Sequence, residues 1–470
     1  MKSDSLNSQQ AERERADLEC DPRINLRASD EKVCGVTTDS VGIVGAGLAG
    51  LACALQLSSM GIPCAVFEAS DAPGGRIRTD FHEGFRLDRG FQVLQTAYPE
   101  AQAVLDYPAL KLCSFNPGAL VHYQGDWKLM ADPWRKPSTA WASLNSGFAN
   151  FADFWKLYRL RQRLLSTSIE QIWDEPELPT IDYLQKNIGF SRSLIEAFFR
   201  PWYSGIFLEA DLQTTSRFFN FVFKMLAEGE AALPALGMQQ IPEQLASRLP
   251  QGTIHYLSPV EKIDGQTLVF ANGRKESFPT IVLATDGLSA TRLSEGFIPV
   301  TKTCSTACLY FSCEIPHVAH RWLMLNGDGH GPINNLCFPA GVSPDYAPAG
   351  KTLISASVVG AAAQSDPEKL QSDVRQQIES WFGLKSKSHS QANPWSGSPL
   401  PQLEHLRTYR IEHALPAQPV GKLSGSRLKH DFRPAMLRPG LYIAGDYLET
   451  ASIQGALASG RRVAEAIVNH

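Results

Sequence analysis

Two groups of residues near the N-terminus have the types and spacing to hold a phosphate-bearing ligand. The first is Gly45-Ala46-Gly47-Leu48-Ala49-Gly50, directly after the β-branched run Val41–Val44. Gly45 permits a tight turn out of a strand, Gly47 lacks the Cβ that would hold a pyrophosphate off the backbone, and Gly50 lets the next helix lie close on the strand. That helix offers free N–H groups and partial positive charge at its N-terminus. The second group starts at Glu68-Ala69, at the end of the run Cys64–Phe67 and 18 residues beyond Gly50, where a carboxylate accepts ribose hydroxyls. It continues to Gly74-Gly75-Arg76, which a nucleotide turn alone would not need. Together these residues predict a dinucleotide site, without separating NAD from FAD.

The elements that must position them follow from pattern. Gly61 is placed to end a helix running to about Met60. At the other end of the chain, Leu441 to Ala444 reads as a strand, Gly445-Asp446 as a turn, and Ser452 onward as a helix. Its small residues Gly455, Ala456, Ala458 and Gly460 suit close packing on a cofactor. Residues 258–286 alternate as strands about a turn at Asn272-Gly273. Helical patterns occupy 141–168, 181–199 and 215–229; strands are expected at 307–315 and 352–360, and an amphipathic helix at 366–382 on Leu370, Val374, Ile378 and Phe382.

Four blocks, "EASDAPGGRIRT", "SPVEKIDG", "IVLATD" and the C-terminal "GLYIAGDYLETASIQGALASGRR", stand in the order found in a flavoprotein superfamily and resemble it. That superfamily contains the FAD-dependent amine oxidases, phytoene desaturases and protoporphyrinogen oxidases. The resemblance implies non-covalently bound FAD, with Arg76 against the pyrophosphate and Arg78 near it, Val260 against adenine, Asp446 at the ribityl or phosphate end, and Ser452-Ile453 at the flavin pyrimidine edge. It implies an α/β fold: a Rossmann-like FAD domain from 41–95, 236–295 and 430–470, with an interleaved α+β substrate domain from 96–235 and 296–429.

Substrate candidates are fewer. Arg89 and Gln92 depart from the small residues usual in the family segment that passes the flavin; they either face flavin and substrate or pair with acids in a wall. Tyr409 and Arg410, with His405 and His413, are the polar group near a family active-site segment. Phe218, Phe219, Phe221 and Phe223 cannot share one helix face, so some are expected to point away from the core, toward a pocket, a lipid surface or a partner. The helix at 151–165 is either an ordinary surface helix or one lying on a membrane to collect a lipophilic substrate.

Bulk properties set bounds. A net charge of −4 offers no electrostatic case for nucleic acid. Nine cysteines without a CxxC pair read as buried thiols in a cytoplasmic or other reducing compartment, and no metal-ligand cluster stands out. No apolar run is long enough for a transmembrane helix, which leaves peripheral membrane contact open. Residues 1–39, with nine acids and no apolar period, read as a disordered arm. The reading that results is an FAD-dependent oxidase or desaturase taking hydride from a large apolar substrate to flavin N5. The alternatives are a flavin amine oxidase and a non-catalytic flavin- or NAD-binding protein. Against the amine oxidase, Lys302 falls too early for the lysine often found in the substrate-domain strand.

Overall fold

The structure is a computed structural model that describes residues 40–300, 302–314, 320–382, 401–421 and 436–469. The arm expected at 1–39, with Cys20 and Cys34, lies outside the described residues.

A six-stranded sheet gathers three distant parts of the chain. Its order is Ile254–His255, Cys64–Phe67, Val41–Val44, Thr280–Leu283, Leu441–Ile443, Met436–Arg438. All neighbours are parallel except the last pair. Parallel strands are covered on both faces, and Val41–Val44 and Ile281–Leu283 are accordingly apolar throughout and buried. The helix Leu48–Ser59 returns from the first strand and stops at Gly61, whose φ of 74° is the left-handed cap expected there. The helix Ile453–Val468 packs against it. A Cβ on Gly460 would lie 2.1 Å from the Ala49 carbonyl oxygen. Gly460 therefore serves helix-to-helix contact rather than cofactor contact, and Gly455 is held against the Thr450 carbonyl in the same way; of the four small residues only Ala456 reaches the cavity described below.

A seven-stranded mixed sheet runs Glu404–Pro416, Thr303–Cys313, Thr352–Val359, Asn335–Cys337, Leu323–Asn326, Gly118–Tyr123, Asp126–Ala131. Alternation along Thr303–Cys313 sends Cys308 and Tyr310 into the main core, and Leu309, Phe311 and Cys313 into a second core. The helix Pro367–Phe382 covers that second face with Leu370, Val374, Ile378 and Phe382. Residues 258–286 form the expected strands Val260–Asp264, Thr267–Phe270, Lys275–Ser277 and Thr280–Leu283, with Gly273 at positive φ.

The helical pattern at 141–168 is broken in two. Ala140–Leu144 ends before Gly147, and Phe151–Ser166 restarts on a capping box of Asn150 and Asp153. In the helix Ser216–Glu228, Phe218, Phe219 and Phe221 are all buried and Phe223 is half-buried. No phenylalanine of this helix faces solvent, contrary to a lipid or partner surface there. Phe219 meets Tyr203 with ring centroids 4.5 Å apart and Phe221 stacks on Tyr98, while Phe218 and Phe223 line a cavity, as the pocket expectation had it.

Candidate active site

The glycine turn is built as its spacing demands. Gly45 has φ 107°, and a Cβ on it would stand 2.7 Å from the Ala284 carbonyl oxygen. A Cβ on Gly50 would overlap the Gly45 oxygen at 2.0 Å. Gly47 is different: a Cβ there would meet no protein atom within 4 Å and would project into open space. The Ala46 N–H donates to Glu68 Oε2 at 2.8 Å, and the Glu68 Oε1 accepts from the Ser70 N–H and hydroxyl. Glu68 is thereby oriented at the end of its strand. The Gly74 N–H donates to the Ala46 carbonyl, which lays Gly74-Gly75 over the turn.

Arg76 reaches across to the C-terminal motif. Its Nη2 is 2.7 Å from Asp446 Oδ1, its Nη1 donates to the Ala414 carbonyl, and its own carbonyl accepts from Gln92 Nε2 at 3.0 Å. Burial works against the guanidinium charge, but Asp446 outweighs it and holds the Arg76 pKa above the ordinary arginine value. Arg78 does not join it: its guanidinium pairs with Asp71 at 2.9 Å. Beyond Asp446, Ser452 caps the helix Ile453–Val468 by accepting from the Gly455 N–H.

These residues face one cavity of about 870 Å³. Gly45, Gly47, Leu48 and Ala49 line one end, joined by Glu68, Ala69, Gly74, Gly75 and Arg76. Val260 enters from the antiparallel strands, and Gly445, Asp446, Ser452 and Ile453 close the C-terminal side. Of the expected cofactor residues Ala46, Gly50 and Arg78 are off the wall; the first two support the turn from behind. The cavity then opens into a chamber walled by Phe198, Phe199, Trp202, Tyr203, Phe218 and Phe223.

The substrate candidates divide. Arg89 and Gln92 line the cavity. Arg89 also pairs with Asp80 at 2.9 Å, and Asp80 accepts from the Tyr409 hydroxyl at 2.7 Å. Gln92 Oε1 is buried without a partner. Tyr409 stands behind the wall in that network, and Arg410 bonds the Ser365 carbonyl on the opposite side of its strand. The register against Thr303–Cys313 shifts between the pairs Thr306–Ile411 and Cys304–Leu415, which breaks the alternation, so Ile411, Ala414 and Leu415 all meet the cavity. His405 and His413 bond Thr408 and Thr303 instead.

One residue of this site escaped the sequence reading. Asp286 lines the cavity and caps a short helix through the Leu288 and Ser289 N–H groups; "ATDG", an acid directly after a strand, was the available signal. Asp88 is buried under the wall, where it accepts from Thr79, the Met238 N–H and Tyr346. Burial raises its carboxyl pKa to about 6, against the lowering effect of those donors.

The site fits a flavin dinucleotide. There is room above Gly47 for a pyrophosphate, a carboxylate stands at the ribose position, and a helix N-terminus faces the far end of the same cavity. Fold and site define an FAD-dependent oxidoreductase. A family model described as flavin containing amine oxidoreductase matches residues 48–468, and the chain belongs to that family.

Among curated proteins, the chain is 37% identical over 78 residues to protoporphyrinogen oxidase 2 of Arabidopsis thaliana, and 52% identical over 56 residues to phytoene dehydrogenase of Streptomyces griseus. These matches span 17% and 12% of this chain and only 15% and 11% of those proteins. Among solved structures, a putative protoporphyrinogen oxidase from Exiguobacterium sp. 255-15 superposes with a TM-score of 0.67 at 19% identity, covering 93% of this chain and all of that one. Putrescine oxidase bound to putrescine gives 0.62 at 15%, covering 92% and 99%. Reduced UDP-galactopyranose mutase gives 0.65 at 16%, covering 92% and 96%. At these identities the likeness establishes a shared fold.

Proposed function

We propose that the protein binds FAD non-covalently along this cavity and oxidises a large apolar substrate held in the aromatic chamber. The observation that carries the reading is the continuity of the cavity from the Gly47 turn to the chamber of Phe198, Trp202, Phe218 and Phe223. FAD, when bound, supplies the hydride acceptor, flavin N5. The chain's residues bind and orient. Glu68 offers its carboxylate to ribose hydroxyls, Arg76 offers charge to the pyrophosphate, and the Ser452 helix end favours negative charge at the flavin pyrimidine edge. The aromatic walls exclude water from the reacting atoms.

The division into an FAD part (41–95, 236–295, 430–470) and a substrate part (96–235, 296–429) is supported by the two main sheets, each of which takes its strands from one set of segments. A reducing compartment is supported by the thiols of Cys53, Cys308, Cys313 and Cys337, each of them buried. No helix among the described residues is long and apolar enough to cross a membrane.

Amine oxidation is the second reading. It is favoured by the family match and by aromatic faces able to hold an ammonium group.

The test begins with the visible spectrum of the purified protein, followed by acid precipitation. Flavin colour that passes to the supernatant is expected; colour in the pellet would mean covalent attachment, and a colourless protein that takes up no FAD would end the reading. Anaerobic bleaching by polycyclic or polyene substrates, against bleaching by amines, separates the two reactions.

A further inference from the structure

Among the described residues fifteen large apolar side chains are exposed, and six of them fall between positions 134 and 158: Trp134, Trp141, Leu144, Phe151, Trp155 and Tyr158. Single exposed apolar residues are ordinary, but a cluster is not. Phe151 is 84% exposed, Trp141 76% and Trp155 57%, so no described residue shields them. Phe151, Trp155 and Tyr158 recur at helical spacing along the outside of Phe151–Ser166. Tyr158 stacks between Trp155 at 5.6 Å and Trp134 at 5.8 Å, which makes a continuous aromatic row.

The row ends at the cavity. Trp134 lines the cavity wall, as do Leu157 and Arg161 of the same helix, and the Arg161 guanidinium lies 5.1 Å over the Trp134 ring. The outer aromatic face and the chamber are therefore one surface.

Charge selects the occupant. Residues 133–168 carry six Lys or Arg and one acid, Asp153, which is buried in the helix cap. Three of the six meet carboxylates from elsewhere: Arg135 with Glu230, Arg161 with Asp132, and Arg163 with Glu175. Of the other three, Lys136 donates to Asn116 Oδ1 and Lys156 to the Gly189 carbonyl, neutral acceptors that do not cancel their charge, and Arg159 is exposed. Tryptophan, tyrosine and basic side chains around an apolar stripe are the composition of a helix lying in a lipid headgroup layer.

We infer that the face formed by Ala140–Leu144 and Phe151–Ser166 docks on an anionic lipid bilayer and opens the substrate chamber toward it. The inference rests on the proposed oxidation of an apolar substrate only for its purpose. Aromatic insertion supplies most of the affinity and the three cations add a salt-sensitive part.

The test uses the full chain with its bound flavin. Vesicles of phosphatidylcholine, and of phosphatidylcholine with phosphatidylglycerol, are sedimented with the protein at low and at high salt. Co-sedimentation is expected, severalfold stronger with phosphatidylglycerol and weakened by salt. The double variant Phe151→Ser with Trp155→Ser should lose about tenfold or more in partitioning while keeping its flavin content and its melting temperature, since both side chains are exposed. Wild type that ignores both vesicles would overturn the inference, as would a double variant that sediments like wild type. So would a wild-type dimer, indifferent to vesicles, that the double variant makes monomeric. A protein that binds vesicles but no FAD would sink the oxidase reading and leave this one standing; a flavin-loaded protein that ignores vesicles would do the reverse.

Discussion

Arg76 and Asp446 stand 370 positions apart in the chain and 2.7 Å apart in the fold. Their ion pair joins the loop after the second strand to the turn before the last helix, and both side chains face the cavity. The pair is asymmetric: the Asp446 side chain is 6% exposed and that of Arg76 is 35% exposed.

That asymmetry orders two variants. Arg76→Ala leaves a buried carboxylate without its partner, whereas Asp446→Ala leaves a guanidinium that reaches solvent. Both should lower FAD affinity, and Arg76→Ala should cost more stability, about 2–4 kcal/mol against about 1 kcal/mol. Denaturant unfolding of the apo forms measures it. Equal losses would show that solvent reaches Asp446 as readily as Arg76.

Gly47 and Gly50, three residues apart, should fail differently. Gly47→Val points a side chain into free space, so the variant should fold and bind no flavin. Gly50→Ala drives a methyl into the Gly45 carbonyl and should destabilise the protein itself. Flavin-to-protein absorbance and circular dichroism separate the two outcomes. A Gly47→Val protein with full flavin content would move the phosphate site elsewhere.

Asp88 should make stability depend on pH. Its carboxyl is raised to about 6 in the folded state, above an unfolded value of about 4. The folded state therefore holds the proton more tightly, and this group's contribution is largest below pH ~4, falls as pH rises to ~6, and is level above that. The span is about 2–3 kcal/mol. Asp88→Asn keeps an acceptor for the Met238 N–H and offers a donor to Tyr346, so it should lack this slope. Unfolding free energies of the two proteins, compared across pH 4–8, would converge at low pH. Parallel curves would exclude the assignment.

Ser452 sits at the helix end that faces the cavity. Ser452→Glu would place negative charge at the proposed site of the flavin pyrimidine edge, and should lower the midpoint potential by tens of millivolts, ~30 mV being 1.4 kcal/mol for two electrons. Loss of the serine cap should cost a further ~1 kcal/mol of stability. Redox titration decides it. Equal potentials, with flavin bound in both, would turn this helix away from the flavin.

The cofactor half was legible in the sequence because its chemistry is local. Gly45, Gly47, Gly50 and Glu68 act through backbone geometry at fixed spacing, and the strand, turn and helix they require follow from residue type and period. The same holds for Gly445, Asp446 and the Ser452 cap. What the chain does away from those turns was decided by tertiary contact. Nothing in "GGRIRT" shows that Arg76 meets Asp446, which depends on how distant segments assemble, while Arg78 turns back to Asp71 of its own loop. The side of the strand that Tyr409 and Arg410 take was set by its seating beside Thr303–Cys313, which put Ile411 on the cavity and Arg410 on the far side. The glycines of the last helix looked like cofactor contacts in sequence, and the fold spent Gly460 on the first helix instead. Phenylalanines spread around one helix left a pocket, a lipid surface and a partner open; the fold turned Phe218 and Phe223 to the cavity, and the exposed aromatic row formed on Phe151–Ser166. Local spacing specifies a turn and its ligand chemistry; which face of an element meets a cavity, another helix or solvent is a property of the packed whole.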